Sequence, residues 1–362
     1  MSDNPAPSNT QTPEVFPPYW VITDGTPGME NQCLGLADAL GVVPHVLRVV
    51  LPFPWSLVAP YGSARQALAS VNIHPPWPDL LIASGRRSVP IARSIRQLSA
   101  GKTKLVYIQD PGRGHKDFSL IICPSHDDIS GTNTLKTTGA LHRCTPERLK
   151  QGFAELNLGA PPPGGFGAVL IGGPNKVYNY DRDFIAGLAQ QLADVGLSLL
   201  ITASHRTPPE LDEMIKKLIP TRMFWSPRQE DGVRNPYFGF LEAASHIFVT
   251  ADSINMVSEA ASTGKPIYIL NPPMRWGVDS ENKFSRFHMH LKTLGITRSM
   301  TVPIDTWKYS PLLDMQRAAA AVRKVVPNLP PPRSKPSPEP SPEPPSASSP
   351  EPPSAPSPTP SG

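Results

Sequence analysis

The sequence predicts an α/β protein made of two Rossmann-like doubly wound domains that ends in a disordered proline-rich tail. Apolar, β-branched runs alternate with helical patterns along most of the chain, which is typical of parallel sheets covered by helices. Residues 161–165 (PPPGG) interrupt this alternation, because neither a helix nor a strand can cross them. The expected divisions are a disordered N-terminus (1–17), two domains (18–163 and 164–310), a helix that packs back on the first domain (311–328) and the tail (329–362).

The first domain is expected to open with a strand at 19–24 (YWVITD), a turn that contains Gly25 and Gly28, and a helix at 30–40. A polar loop should therefore follow the first strand and lead into a helix. Further strands are expected at 46–50, 79–84, 104–110 and 120–124, with a helix at 88–98.

The second domain is expected to repeat this layout from a strand at 168–173 (AVLIGG) onward. The last unit, at 247–270, contains a buried strand, a polar turn, a short helix, a glycine stop and a second buried strand. The elements between them are a helix at 181–195, strands at 197–204 and 223–225, and a helix at 236–244, and a late helix is expected at 311–325. In doubly wound sheets ligands bind at the carboxyl ends of the strands, where these polar loops lie.

The unit at 247–270 has the layout of a diphosphate site. Thr250, Asp252 and Ser253 are good N-caps for the helix that follows, and Gly264 ends that helix. Free amides and the helix dipole suit a diphosphate, and a carboxylate such as Glu259 within two turns can accept hydrogen bonds from ribose hydroxyls. The alternative interpretation is an ordinary βαβ crossover, with capping residues and a solvated glutamate.

Other strand-end loops supply further candidates. Asp24, Glu30 and Asp110 are candidate catalytic residues, the first two as general bases, although Glu30 could equally be a first-turn acid that matches the helix dipole. Arg206 could neutralise a diphosphate leaving group or be a surface charge. The candidate substrate-binding residues are Gly25, Gly28, Asn31, Gly85, Arg86, Gly172, Gly173, Arg206, Ser253, Asn255, Met256, Ser258 and Glu259.

Composition and missing motifs argue against several classes of protein function. The net charge is +4 without a basic run, which gives nucleic-acid binding little support. No apolar stretch approaches the roughly 18 residues of a membrane span, the N-terminus lacks a signal-peptide pattern, and three scattered cysteines indicate neither a disulfide framework nor a zinc site. A cytoplasmic protein is expected, peripheral at the inner membrane if it touches lipid. Walker A, G-x-G-x-x-G and G-x-S-x-G motifs are missing.

The tail repeats SPEPPSA at 341–347 and 349–355 and cannot bury enough apolar surface to fold. We interpret it as a tether or spacer, with an SH3-type ligand as the alternative.

Five segments resemble the mitochondrial-fission family named for plants with elongated mitochondria, which also has bacterial members. They are ENQCLGL (30–36), ASGRRSV (83–89), TTGALH (137–142), GGP (172–174) and TADSINMVSEAASTGKPIY (250–268). For the plant member the family implies a peripheral factor on the outer face of mitochondria that recruits a dynamin-related GTPase. The chain is similar in style to a bacterial member.

More distantly, the layout is similar to GT-B glycosyltransferases of the type that makes lipid II. This resemblance implies a GT-B-like fold and a UDP-sugar site in which Ser253, Ser258 and Glu259 contact the donor, with Glu259 on the ribose. The first loop of those enzymes is glycine-rich and contains a histidine. Here the loop reads TDGTPGMEN (23–31), without a histidine.

Two functions follow as hypotheses. The first is a metal-independent GT-B-like glycosyltransferase with a nucleotide-diphosphate sugar as donor substrate, no tightly bound cofactor, and a cell-envelope or lipid-linked acceptor. The second is a non-catalytic scaffold of the mitochondrial-fission family that recruits a protein partner, such as a dynamin-related GTPase, to a membrane.

Overall fold

The chain contains two parallel sheets of six strands each, both covered by helices. The structure, a computed structural model, describes residues 17–331 except 54, 62–67, 69–72, 126 and 229–233. Most of the disorder expected for residues 1–17 and 329–362 lies outside the described residues, but Leu329 is buried in the core of the first sheet. Within the described residues, the α/β prediction is confirmed.

The first sheet has the strand order β2-β1-β3-β4-β5-β6, with every neighbouring pair parallel. Its strands are β1 (Tyr19–Thr23), β2 (His45–Arg48), β3 (Leu80–Ser84), β4 (Lys104–Ile108), β5 (Leu120–Pro124) and β6 (Thr134–Thr137). The helices between these strands are α1 (Pro27–Ala39), α2 (Trp55–Val58) and α3 (Ser88–Leu98), with a 3-10 turn at His115–Asp117.

The second sheet has the order β12-β11-β10-β7-β8-β9 and is also parallel throughout. Its strands are β7 (Phe166–Ile171), β8 (Ser198–Ala203), β9 (Met223–Trp225), β10 (Ala244–Thr250), β11 (Ile267–Leu270) and β12 (Thr297–Ser299). The remaining helices are α4 (Pro146–Ala154), α5 (Arg182–Ala193), α6 (Pro209–Leu218), α7 (Tyr237–Ala243), α8 (Ile254–Ala261), α9 (Lys283–Thr293) and α10 (Asp314–Val325).

Both sheets are doubly wound, and each has one point where the strand order reverses. In the first sheet this switch point lies between β1 and β3, and in the second it lies between β7 and β10. Crossovers leave in opposite directions at a switch point, so a crevice opens there at the carboxyl ends of the strands. Two Rossmann-like domains of this kind form the GT-B-like arrangement that the sequence predicted.

The strands are short apolar runs because helices cover both faces of each sheet. β3, β7 and β11 are buried along their whole length. Polar side chains fix the starts of several helices: Thr145 accepts from the amide of Arg148, and Asp181 accepts from that of Phe184.

The boundary between the domains differs from the one that residues 161–165 indicated. Leu141 belongs to the core of the first sheet, whereas Cys144 and Leu149 pack into the core of the second. Helix α4 therefore lies with the second domain, although the sequence predicted a boundary at 163/164. The sequence pattern did not predict α2, α4, α9, β6 or β12, and both strands have only three or four residues.

Helix α10 returns to the first domain. Met315, Ala318 and Val322 join the core formed by β1 and α1, and Arg323 donates to the carbonyl of Leu40 at the end of α1. The described residues contain no helix that is long and apolar enough to cross a bilayer.

Candidate functional site

The carboxyl edges of the two sheets face each other across a cleft. Gln32 on α1 donates through Nε2 to Oδ1 of Asn255 on α8 at 3.3 Å. A Cβ at Gly28 would lie 2.5 Å from Nδ2 of Asn255, so α1 and α8 approach closely at this point. Both switch points therefore border one cleft, and several of the predicted residues lie beside it.

Helix α8 begins directly at the second switch point. Ser253 caps it by accepting from the amide of Met256 at 3.4 Å, and Gly264, with φ of +75°, turns the chain after it. Among the described residues, no acceptor is present for the amides of Ile254 and Asn255. These two donors and the positive end of the helix dipole lie beside Gln32 of the first domain, where they could bind an anion.

Glu259 lies one turn farther along α8 and is half-buried. Its Oε2 accepts from the hydroxyl of Tyr237 at 2.5 Å, and burial raises the pKa of this carboxyl to about 7. Within the described part of the chain it has no cationic partner, and its Oε1 has no hydrogen-bond donor. This oxygen is available to accept from a ligand hydroxyl.

Ser258 is completely buried, although the sequence analysis placed it in the donor site. Its hydroxyl donates to the carbonyl of Ile254 at 2.7 Å and accepts from the amide of Ala140 at 2.9 Å. A Cβ at Gly139 would lie only 2.7 Å from the same oxygen. Ser258 therefore joins α8 to the segment after β6, and its bonding capacity is used within the protein.

The side chain of Asp252 forms hydrogen bonds with three residues around the second switch point. Its carboxylate accepts from the Tyr180 hydroxyl at 2.5 Å, the Gly173 amide at 3.0 Å and the Arg206 guanidinium at 2.6 Å. The side chain of Asp252 is fully buried. A Cβ at Gly172 would lie 2.2 Å from its Oδ2, so this glycine is required by internal packing.

Gly173 and Arg206 are in close contact. A Cβ at Gly173 would lie 2.3 Å from the backbone of Arg206. The Arg206 side chain also donates to the Gly173 carbonyl at 2.8 Å, yet 43% of it remains exposed. It is thus anchored at the edge of the cleft with one face toward solvent.

On the first-domain side, Asp24 is the acid that stays accessible at the switch point. Its Oδ1 accepts from the amide of Thr26 at 3.2 Å, and a Cβ at Gly85 would lie 2.9 Å from its Oδ2. Gly25 and Gly85 have φ of +80° and +89°, a region that favours glycine. Asp24 has no cationic partner among the described residues.

Glu30 is not placed as a general base, which corrects that prediction. It is buried and forms a two-point ion pair with Arg48, with Nε–Oε2 and Nη2–Oε1 distances of 2.8 Å each. Such a two-point pair occupies both carboxylate oxygens. Arg48 ends β2, which neighbours β1, and only this strand pairing brings it to Glu30.

Asp110, Arg86 and Asn31 lie on the exposed margin of the cleft. Asp110 accepts from the Gly112 amide at 2.7 Å and lies 3.1 Å from Nε2 of His115. Arg86 donates to the carbonyl of Ala59 at 2.6 Å. Asn31 points to solvent, whereas its buried neighbour Gln32 makes the contact with Asn255.

Sequence analysis missed Gln32, Tyr237 and His288. Nε2 of His288 lies 2.7 Å from the Ala251 carbonyl at the second switch point, and burial lowers its pKa. The helical spacing of 283–293 could have placed His288 near the strand ends, but no local signal marks Gln32 or Tyr237. Among the described residues, no group of three His, Cys, Asp or Glu side chains could hold a metal ion.

Comparison with known proteins places this site in context. A family model described as "Mitochondrial fission ELM1" matches residues 27–326. "Mitochondrial fission protein ELM1" of Arabidopsis thaliana is 29% identical, over 84% of this chain and 90% of its own length. "Uncharacterized protein RP120" of Rickettsia prowazekii (strain Madrid E) is 27% identical, over 84% of this chain and 97% of its own length.

Solved structures with similar folds include a MurG and a glycosyltransferase. MurG of Acinetobacter baumannii is 12% identical with a TM-score of 0.43, covering 78% of this chain and 85% of its own. The glycosyltransferase SnogD from Streptomyces nogalater is 15% identical with a TM-score of 0.47, covering 87% and 96%.

Proposed function

The chain belongs to the mitochondrial fission ELM1 family, and from this premise and the cleft geometry we propose a GT-B-like glycosyltransferase that uses a nucleotide-diphosphate sugar. The donor is a substrate rather than a resident cofactor, no metal is required, and the acceptor is a cell-envelope or lipid-linked molecule. The protein is cytoplasmic and peripheral at the membrane that holds this acceptor.

The observation that carries the proposal is the pairing of two groups on α8. The amides of Ile254 and Asn255 have no acceptor among the described residues, and five residues farther on Glu259 keeps one oxygen without a donor. Five residues of helix span about 7.5 Å, a separation that suits the diphosphate and the ribose of one nucleotide. Both groups lie at a switch point, where ligands of doubly wound sheets bind.

The reaction assigns a role to each side of the cleft. Asp24 accepts the proton of the acceptor hydroxyl, the acceptor oxygen forms a bond to the anomeric carbon, and the bond from that carbon to the diphosphate breaks. The nucleoside diphosphate leaves, and its new negative charge is stabilised by the α8 amides and by the exposed face of Arg206. Glu259 holds the ribose.

A thermal-shift panel with UDP, GDP, ADP, CMP and their sugars tests this proposal. One nucleotide should stabilise the wild type by about 2.7 kcal/mol at a hundredfold excess over its Kd. Glu259→Ala should abolish that gain, whereas Glu213→Ala, an exposed acid on α6, should retain it. If no nucleotide shifts the wild type at millimolar concentration, the glycosyltransferase proposal fails.

A second candidate is a non-catalytic scaffold that recruits a protein partner, such as a dynamin-related GTPase, to a membrane. The observation that favours it is internal use of predicted site residues: Glu30 is held by Arg48, and Ser258 by Ala140. The name of the Arabidopsis relative agrees with this role. Under this function the panel gives no shift with any nucleotide.

A further inference from the structure

One stretch of the first domain exposes several large apolar side chains. Val50, Phe53, Leu57 and Tyr61 have exposed fractions of 73%, 79%, 71% and 58%. We call these four side chains the apolar rim. Single exposed apolar residues are normal on protein surfaces, whereas clusters of large ones are typical of interaction sites.

The apolar rim lies beside the mouth of the cleft. Arg86, directly after β3, donates to the carbonyl of Ala59 at 2.6 Å. A Cβ at Gly112, in the loop after β4, would be 3.6 Å from Pro60. Because these loops follow strands at the carboxyl edge of the first sheet, the rim and the candidate site share one edge.

Two arginines lie beside the apolar rim. The guanidinium of Arg113 lies 4.9 Å from the centre of the Tyr61 ring, and Arg86, Arg87 and Lys116 are exposed on the same loops. Two nearby acids face cationic or titratable partners, because Asp117 pairs with Arg93 and Asp110 lies against His115. Asp24 lies against Gly85 on the same edge and has no cationic partner among the described residues, so the four basic side chains outnumber these three acids by one.

We propose that the apolar rim inserts into the surface of an anionic lipid bilayer while the arginines bind lipid headgroup phosphates. Exposed Phe, Leu and Tyr flanked by basic side chains match the chemistry of that interface, where acyl chains and negative headgroups meet. The mouth of the cleft then faces the lipid. The part that concerns the acceptor rests on the proposed function: the hydroxyl that reacts is presented from the membrane.

Vesicle co-sedimentation of the full chain tests this docking surface. The wild type should bind vesicles of phosphatidylcholine mixed with phosphatidylglycerol, bind phosphatidylcholine vesicles much less, and dissociate as salt is raised. Phe53→Ser combined with Leu57→Ser should weaken partition at least about tenfold, because two large apolar groups no longer leave water. The matched control is Met289→Ser, which removes a 63% exposed apolar side chain from the second domain and should bind normally.

Three outcomes would overturn the proposal: no binding of the wild type to anionic vesicles, equal binding to both lipid mixtures, or undiminished binding of the double variant. Self-association that the double variant abolishes, without vesicle binding, would assign the rim to a second copy of the chain instead. The thermal-shift panel run on the double variant separates the two proposals. Its nucleotide response should equal that of the wild type, so vesicle binding and nucleotide binding can each fail alone.

Discussion

At the scale of single residues, the polar side chains of the cleft fall into two groups. Asp252, Ser258 and Glu30 have their bonding capacity filled by the protein itself. Asp24 and Glu259 lack a cationic partner among the described residues. A half-buried carboxylate without a counter-charge destabilises the folded state, and such a group is typical of a site that a ligand completes.

Glu259→Gln should raise the free energy of unfolding of the nucleotide-free protein at pH 8 by about 1–3 kcal/mol. Burial raises the pKa of this carboxyl from its ordinary 4.5 to about 7 in the folded state. Between these pH values the folded protein holds a proton that the unfolded chain lacks, so this group's contribution to stability falls as pH rises through that window. The glutamine side chain has no charge to desolvate, and its oxygen can still accept a hydrogen bond from the hydroxyl of Tyr237.

Urea denaturation of both proteins from pH 4.5 to pH 8 measures this effect. Other titrating groups are common to both chains, so they cancel in the difference between the two stabilities. The difference should grow with pH and level off above pH 7. A constant difference across this range would mean that Glu259 is not perturbed.

At the scale of elements, the loops after β7, β8 and β10 pack on one another through glycine and a buried carboxylate. Gly172 and Gly173 were predicted to let backbone approach a nucleotide. In the structure, packing explains why both positions are glycine, since side chains there would meet Asp252 and the backbone of Arg206. The loops are therefore a preformed support for the start of α8.

Gly172→Ala should lower the free energy of unfolding by about 1–3 kcal/mol. Its Cβ would overlap Oδ2 of Asp252, which cannot move without breaking its bonds to Tyr180 and Arg206. Gly187→Ala is the control: this glycine lies inside α5 with nothing within 4 Å of an added Cβ, so alanine should stabilise by about 0.5–1 kcal/mol. Thermal and urea unfolding measure both changes. If both substitutions changed the free energy of unfolding in the same direction, the packing argument would be contradicted.

Local signals predicted the elements well where a strand is a continuous apolar run, as in β3 and β7, and where a cap precedes a helix, as Ser253 does. They failed for β6, whose sequence TLKT is polar, and for β12, with three residues. The site was predictable to the level of strand-end loops. The side chains that bond to these site residues could not be predicted, because strand order brings Arg48 to Glu30, and the packing of two domains brings Gln32 to Asn255.

At the scale of the whole molecule, two doubly wound sheets place their switch points on opposite walls of one cleft. Contacts that join the two domains include Gln32 to Asn255, Ala140 to Ser258, and Arg148 of α4 to Asp38 of α1. Helix α10 links the domains a second time by packing on the first core. This arrangement gives the two walls of the cleft separate supports.

The central claim is that a nucleotide diphosphate binds at the start of α8. A crystal structure determined with the nucleotide that the thermal-shift panel selects tests it most directly. We predict diphosphate oxygens within hydrogen-bond distance of the amides of Ile254 and Asn255, and ribose hydroxyls on Oε1 of Glu259. Nucleotide bound elsewhere, with these amides and Glu259 free, would contradict the account.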